Sequence, residues 1–283
     1  MGDSQTEWGF LQLTVAPDQH DFITELLWEL GTIGVEEKQG AQGIILKAFF
    51  SDATALFSLK RKFHDAAAQR RLQVEDLRVG SFQDNPQEWI RNWKKNFRPF
   101  AVGESFYIYP SWGLPSPDYR INLCLEPGQA FGTGSHESTQ LCLLALEQLA
   151  KAAASLLDVG TGAGILAIAA RKLNPASLIV AMDIDPQSAK VARENFIQNS
   201  ASGILLFAGT LENINRSFQL VVANLTLEIF RAAAPQLRRV AEERLIVSGF
   251  TREQGPLVLE EFSPLQLGRQ WEKNGWLCFE LLK

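Results

Sequence analysis

The chain has 283 residues, with 27 Lys and Arg against 32 Asp and Glu, a formal net charge of −5 at pH 7. That length suits one large or two medium domains, and 46% hydrophobic against 21% charged residues supplies a core and excludes a disordered chain. The acidic balance excludes the basic footprint of a nucleic-acid binder, and no apolar run reaches the ~18 residues of a membrane span.

The first ten residues contain Asp3 and Glu7 and no basic stretch followed by an apolar one. They do not read as a signal peptide, so a cytoplasmic protein is expected. Residues 10–15 alternate as a strand does. Asp18 or Asp21 caps a helix with Phe22, Ile23, Leu26, Leu27 and Leu30 on one face, which stops at Gly31. Residues 32–39 and 44–50 are strands around a turn at 40–43. Asp52 caps a second helix with Leu56, Leu59 and Phe63 inward, and residues 72–79 are a fourth strand. The order βαββαβ predicts a small ferredoxin-like α+β domain over residues 1–83. His20 and His64 stand alone there and read as surface residues. A domain with a core and no chemistry suits a binding module.

Asn85 followed by Pro86 marks a helix start. Trp89, Trp93 and Phe97 recur every four residues, so a connector helix over 84–100 is expected to dock through that stripe. Its Arg91, Lys94, Lys95 and Arg98 read as a solvated face. Residues 100–110 are extended and 114–117 form a turn-rich loop. From about residue 120 strands alternate with helices, which predicts a mainly parallel sheet. Strands fall at 155–159, 178–182, 204–207, 219–223 and 244–247, and helices at 165–173, 186–199 and 225–237. Two last strands, 266–271 and 276–281, flank Asn274-Gly275, a hairpin signal. Five parallel strands closed by an antiparallel hairpin are the layout of a doubly wound, Rossmann-like class I methyltransferase domain, expected over 101–283. A dinucleotide-dependent dehydrogenase would end on a sixth parallel strand. Cys124, Cys142 and Cys278 form no C-x-x-C pair, so buried thiols are expected rather than a zinc site or disulfides.

Leu157-Asp158-Val159-Gly160-Thr161-Gly162-Ala163-Gly164 reads as a buried strand, a glycine turn and the start of a helix. Such a turn is a nucleotide-cofactor site. A dinucleotide fingerprint needs a third glycine at 165, which is Ile. The G-x-G-x-G spacing, with an acid two residues ahead, suits a cofactor without a pyrophosphate, and S-adenosylmethionine is the candidate. The plain alternative is a tight turn with no ligand. Asp183 ends the second strand, where a carboxylate can accept bonds from both ribose hydroxyls; Asp185 is the better cap for the next helix. Asn224 ends the fourth strand, where its side-chain carbonyl can accept a bond from a substrate amine or hold the cofactor; the alternative is a helix cap. Ahead of the first strand, residues 126–139 carry three glycines, the hydroxyls of Thr133 and Thr139, and His136. This loop can lie over a cofactor, and the amides at the following helix start can bind a carboxylate. His136 is a possible base, though a lone loop histidine is more often structural.

Glu126-Pro127-Gly128-Gln129-Ala130-Phe131-Gly132-Thr133-Gly134-Ser135-His136 resembles the D-P-G-x-A-F-G-T-G-T-H segment of the bacterial ribosomal-protein methyltransferases called PrmA. Residues 158–170, Asp183-Ile184-Asp185-Pro186, Trp89 with Trp93 ahead of Phe97-Arg98-Pro99, and Tyr109-Pro110-Ser111-Trp112 are similar too. The resemblance covers most of residues 84–250, and the N-terminal unit matches only in topology. It implies transfer of methyl groups from S-adenosylmethionine to amino groups of large-subunit ribosomal protein eleven, with the ferredoxin-like domain recognising that protein. By position it implies cofactor roles for Thr139, Gly160, Asp183 and Asn224, to which the turn and loop add Gly162 and Thr133. Asn224-Leu225-Thr226-Leu227 departs from the family's N-I-L-A, and Glu126 and Gln129 replace its commoner Asp and an apolar residue.

A protein N-methyltransferase is therefore expected, with Asn224 orienting the lysine or α-amino nitrogen. No metal, membrane or direct nucleic-acid contact is expected. The rival readings are a lysine methyltransferase of another protein and a non-catalytic, cofactor-binding ribosome factor.

Overall fold

The computed structural model describes residues 8–16, 19–32, 34–40, 43–50, 56–70, 72–82, 98–118, 120–125 and 134–283. The chain divides into two compact units, residues 1–97 and 98–283. Residues 84–97 of the expected connector helix, with the Trp89, Trp93 and Phe97 stripe, lie outside the described residues, as does the Asp52 cap, while its expected end at residue 100 is already strand.

The first unit runs β1 (Trp8–Val15), α1 (His20–Glu29), β2 (Gly34–Gln39), β3 (Ile44–Phe50), α2 (Leu56–Gln69), β4 (Glu75–Phe82). Its strands form one antiparallel sheet in the order β2-β3-β1-β4, the ferredoxin-like arrangement. Leu11, Leu13 and Val15 of β1 point into the core at a spacing of two, where they meet Leu46, Ala48 and Phe50 of β3. Ile23, Leu26 and Leu27 of α1 and Phe63 of α2 close the same core. The last strand begins at Glu75 rather than at 72. Leu72 N–H instead closes the end of α2 on Ala67 O, and Gln73 N–H bonds the Gln19 side chain.

The second unit begins with a small sheet of β5 (Phe100–Val102), β6 (Phe106–Pro110) and β7 (Ile121–Leu125). Residues 100–110 are thus a hairpin rather than one extended run, and β7, parallel to β6, is an addition to the expected strands. Next come α3 (Glu137–Leu149), β8 (Ser155–Val159), α4 (Ile165–Leu173), β9 (Leu178–Asp183), α5 (Pro186–Gln198) and β10 (Ile204–Ala208). The chain continues with β11 (Phe218–Asn224), α6 (Leu227–Val240), β12 (Ala241–Thr251), α7 (Gly255–Glu261), β13 (Gln266–Lys273) and β14 (Trp276–Leu282).

These strands make a seven-stranded sheet in the order β10-β9-β8-β11-β12-β14-β13. The first five are parallel and β14 joins antiparallel to both neighbours, as the five-plus-hairpin pattern predicts. Asn274 (φ 48°) and Gly275 (φ 83°) supply the two left-handed turn residues of the hairpin. Strand order reverses between β8 and β11, so the crevice past their carboxyl ends is the ligand position of an open α/β sheet. The expected helix 225–237 starts two residues later, because Leu225 N–H still bonds Ser248 O across to β12. Helix α7, opened by Gly255-Pro256, is absent from the sequence reading.

Both faces of the large sheet are covered. Helices α3, α4 and α5 bury one face, and α6 and α7 the other. The second core holds a ring cluster: Phe230 meets Phe262 edge-on at 5.4 Å and Phe250 at 6.2 Å. No helix among the described residues is long and apolar enough to cross a membrane. Phe230 is fully buried, so Phe230→Ala removes a ring from a closed cluster and should cost about 3–5 kcal/mol. The check is a urea denaturation of the full chain; a midpoint like that of the wild type would show that the cluster collapses around the gap.

Candidate functional site

The turn after β8 has a backbone that its sequence dictates. Gly160, Gly162 and Gly164 have φ of 68°, 53° and 86°, left-handed values that side chains rarely adopt. Space forbids substitution as well. A Cβ on Gly160 would lie 2.6 Å from the Leu225 side chain, and one on Gly164 2.5 Å from Phe196. The open side of such a turn presents backbone amides to a ligand.

Two carboxylates pin the turn from below. Asp158 Oδ2 accepts from Thr161 Oγ1 at 2.6 Å and from Ala167 N–H at 3.1 Å. Asp183 Oδ2 accepts from Gly162 N–H at 2.9 Å, while its Oδ1 accepts from Asp185 N–H at 3.0 Å. Thr161 N–H adds a bond to Met182 O at 2.9 Å. Asp158 is completely buried, and its Oδ1 has no hydrogen-bond partner. Burial, with Asp183 adding like charge, pushes its carboxyl up to about 7 against the lowering effect of the Thr161 and Ala167 bonds. Asp185 is the N-cap of α5, as expected, and the amides of Gln187 and Ser188 hold its carboxyl below the usual range.

At the end of β11, Asn224 Nδ2 donates to Thr139 Oγ1 at 3.2 Å, joining residues 85 positions apart. Thr139 is buried in the first turn of α3, and the bond fixes the Asn224 amide plane. Asn224 Oδ1 is then a buried acceptor with no partner. Such a group costs free energy unless a ligand donor completes it. Asn224 does not cap α6, whose N-cap is Thr226. His136 serves as the N-cap of α3: its Nδ1 accepts from Ser138 N–H at 3.2 Å, and its ring stands edge-on to Trp276 at 4.5 Å. That is the structural role rather than the base.

The structure therefore sets Gly160, Gly162, Asp183 and Asn224 at the carboxyl ends of β8, β9 and β11, with Thr139 bonded to Asn224. Thr133 and the loop 126–133 lie outside the described residues. Three contributors escape sequence reasoning. Asp158 reads as a motif letter, yet it is the buried anchor of the turn. Asn195 Nδ2 reaches from α5 to Ala163 O at 2.8 Å. Ile184, directly after Asp183 at the end of β9, is 75% exposed; an isoleucine between two aspartates was the available signal.

These features fit an adenosyl amino acid. The glycine turn, the Asp183 carboxylate, the exposed Ile184 and the unpartnered Asn224 Oδ1 lie at the carboxyl ends of neighbouring strands, where an open α/β sheet takes its ligand. Cys124, Cys142 and Cys278 are buried thiols, as expected.

A family model described as ribosomal protein L11 methyltransferase (PrmA) matches residues 7–283. The chain is 34% identical to the ribosomal protein L11 methyltransferase of Pelobacter propionicus, covering 96% of each chain. It is 32% identical to that of Geobacter sp. (strain M21), over 98% of this chain and 99% of the relative. Among solved structures, a ribosomal protein L11 methylase from Lactobacillus delbrueckii subsp. bulgaricus superimposes with a TM-score of 0.61 at 31% identity, covering 65% of this chain and 98% of that one.

The buried Asp158 carries a pH signature. Its carboxyl rises from 3.8 to about 7 on folding, so the folded state holds the extra proton between those values. Stability from this group is full below 3.8 and is lost as pH rises through about 7. Asp158→Asn cannot ionise, so thermal melts of the ligand-free protein across that range should decline less with pH than those of the wild type. Parallel curves would show that Asp158 titrates normally.

Proposed function

The chain belongs to the ribosomal protein L11 methyltransferase family, and from that membership we propose a division of labour among its residues in methylating amino groups of L11, at lysine or the α-amine. S-adenosylmethionine supplies an electrophilic methyl group on a sulfonium, and all else falls to the protein. The observation that carries the assignment is Asn224 Oδ1, a buried acceptor at the sheet switch point, oriented by Thr139 and left without a donor.

An amine attacks a methyl carbon only through its lone pair. A lysine with an ordinary pKa of ~10.4 is almost wholly protonated at neutral pH. The site must favour the neutral form by desolvation and then aim it. Asn224 Oδ1 accepts one N–H of the neutral amine, which directs the lone pair away from the amide and along the line of transfer. The methyl group would pass to that nitrogen with the sulfonium sulfur keeping the electron pair of its broken bond, and the surplus proton would leave to water. No side-chain base is required, in keeping with His136 being occupied as a helix cap.

Cofactor binding divides along the three strand ends. The amides of Thr161, Gly162 and Gly164 are spent on Met182 O, Asp183 and Thr161 O, so the amino acid tail is taken by the rest of the turn's backbone, around Gly160 and Ala163. Asp183, already held by Gly162 and Asp185 amides, has lone pairs left for the ribose hydroxyls. Ile184 covers a face of the base, and Thr133 adds a hydroxyl from the loop. The first unit, which carries a core but no catalytic cluster among its described residues, serves to recognise the substrate protein. The protein works in the cytoplasm, where its substrate is made, and contacts no nucleic acid directly.

Incubating the purified protein with L11 and isotope-labelled cofactor, followed by mass spectrometry of L11, tests the function. Incorporation into another lysate protein and not into L11 would redirect the substrate; tight cofactor binding without product would sink the enzymatic reading. Asn224→Ala should lower kcat by about 10²-fold, the scale expected when a reacting group is misplaced, with a smaller loss of cofactor affinity. Ile184→Asp removes apolar cover worth ~1.5–3 kcal/mol, so cofactor Kd by calorimetry should rise at least about tenfold with kcat at saturation little changed.

A further inference from the structure

The first turn of α3 is gripped by the last hairpin of the large sheet. Glu137 and Gln140 are one helical turn apart and share a face of α3. The Asn274-Gly275 turn, left-handed at both residues, lays Lys273 and Asn274 against that face. Asn274 Nδ2 donates to Glu137 Oε1 at 2.9 Å, and Lys273 Nζ donates to Gln140 Oε1. Farther along the same helix, Arg269 Nη1 of β13 donates to Gln148 Oε1 at 2.9 Å. Trp276, at the start of β14, stands edge-on to the His136 ring that caps α3. Four contacts thus run from the hairpin to α3, and three of them fall on residues 136–140.

Gln140 is the centre of this grip. It is 9% exposed and uses both ends of its side-chain amide. Oε1 takes the Lys273 ammonium, and Nε2 donates back to Ser135 O at 2.8 Å, just ahead of the helix cap. Its own N–H closes the first helical turn on His136 O at 3.1 Å. One residue therefore joins the hairpin, the backbone before the helix and the helix itself. A leucine would bury as well here, so packing alone gives no reason for an amide. An amide partnered at both ends fixes one geometry, because any other leaves a polar group unpaired. Gln140 also follows Thr139 directly. Thr139 Oγ1 holds Asn224 Nδ2 at 3.2 Å, the long end of the hydrogen-bond range. A shift of about half an ångström in this turn takes the contact past that range. Asn224 Oδ1 has no partner to resist the rotation that follows.

We propose that Gln140 is a positioning residue for methyl transfer: tied to Ser135 and to Lys273 of the hairpin, it sets the first turn of α3 and, through Thr139, aims Asn224 Oδ1 at the attacking amine. Lys273 carries the hairpin's share of that hold. The direction of the acceptor is then fixed from two sides of the fold, by β11 through the Asn224 backbone and by β13 through Gln140. The inference rests on Asn224 orienting the amine.

A double-mutant cycle in kcat, measured on the full chain with L11 and S-adenosylmethionine, tests it. Gln140→Leu removes both side-chain bonds and keeps a similar size. It should lower kcat about tenfold, short of the ~10² cost of a fully misplaced reacting group. KM for L11 and cofactor Kd should stay nearly unchanged. In the Asn224→Ala background the same substitution should lower kcat no further, because no amide is left to aim. A general loosening of the fold would instead slow both backgrounds alike. Lys273→Met should give a smaller loss of kcat, which Lys273→Arg restores. Wild-type kcat in Gln140→Leu, or an equal loss in both backgrounds, would overturn the proposal. So would full kcat in Lys273→Met, a substitution at an exposed position that decides the matter even if Gln140→Leu does not fold. Wild-type kcat in Asn224→Ala alone would instead remove the reading of Asn224, and the proposal with it.

Discussion

Three left-handed glycines in five residues are an expensive stretch of backbone, and the site exists because two aspartates hold it in place. Asp158 grips the turn through Thr161 and the first turn of α4, and Asp183 grips it through Gly162. Together with Thr161 N–H to Met182 O and Gly164 N–H to Thr161 O, these bonds tie the turn's own amides into the fold and set its shape. The cost is an unhappy carboxylate: Asp158 is sealed from water with one oxygen unpartnered. Poor solvation of this kind gathers at functional sites.

The same economy governs Asn224. Its side-chain oxygen is left unmet while its nitrogen is spent on Thr139, a residue of α3 that the sheet itself does not position. The acceptor therefore has its direction set by a helix start, which in turn is capped by His136. A residue that reads as a catalytic candidate does its work two steps away from the chemistry, by holding the helix that holds the amide.

Much of this was legible in the chain. Alternating Leu11, Leu13 and Val15, the Asp185-Pro186 cap and the Asn274-Gly275 turn each encode local geometry, and each falls where expected. The glycine spacing and the two acids gave the strand ends of the site. The rest depends on distance in sequence. The Thr139–Asn224 bond spans 85 residues, and the parallel partner of β6 follows a loop, so no local pattern announces either. Helix α7 is seven residues long and begins with Gly255-Pro256, a pair that reads as a turn. Ile184 escaped for the opposite reason: apolar residues are assigned to cores, and only its exposure sets it apart.

The position of β14 carries a consequence for how the molecule comes into being. Of the seven strands in the large sheet it is the last to be synthesised, yet it lies inside the sheet, between β12 and β13, with Cys278, Phe279 and Leu281 buried. The sheet therefore cannot zip up in the order in which it is translated. β12 must wait with an open edge, and β13 has no neighbour, until residues beyond 276 have left the ribosome. An early-built ferredoxin-like unit thus emerges well ahead of a cofactor domain that closes only at the end of its own synthesis.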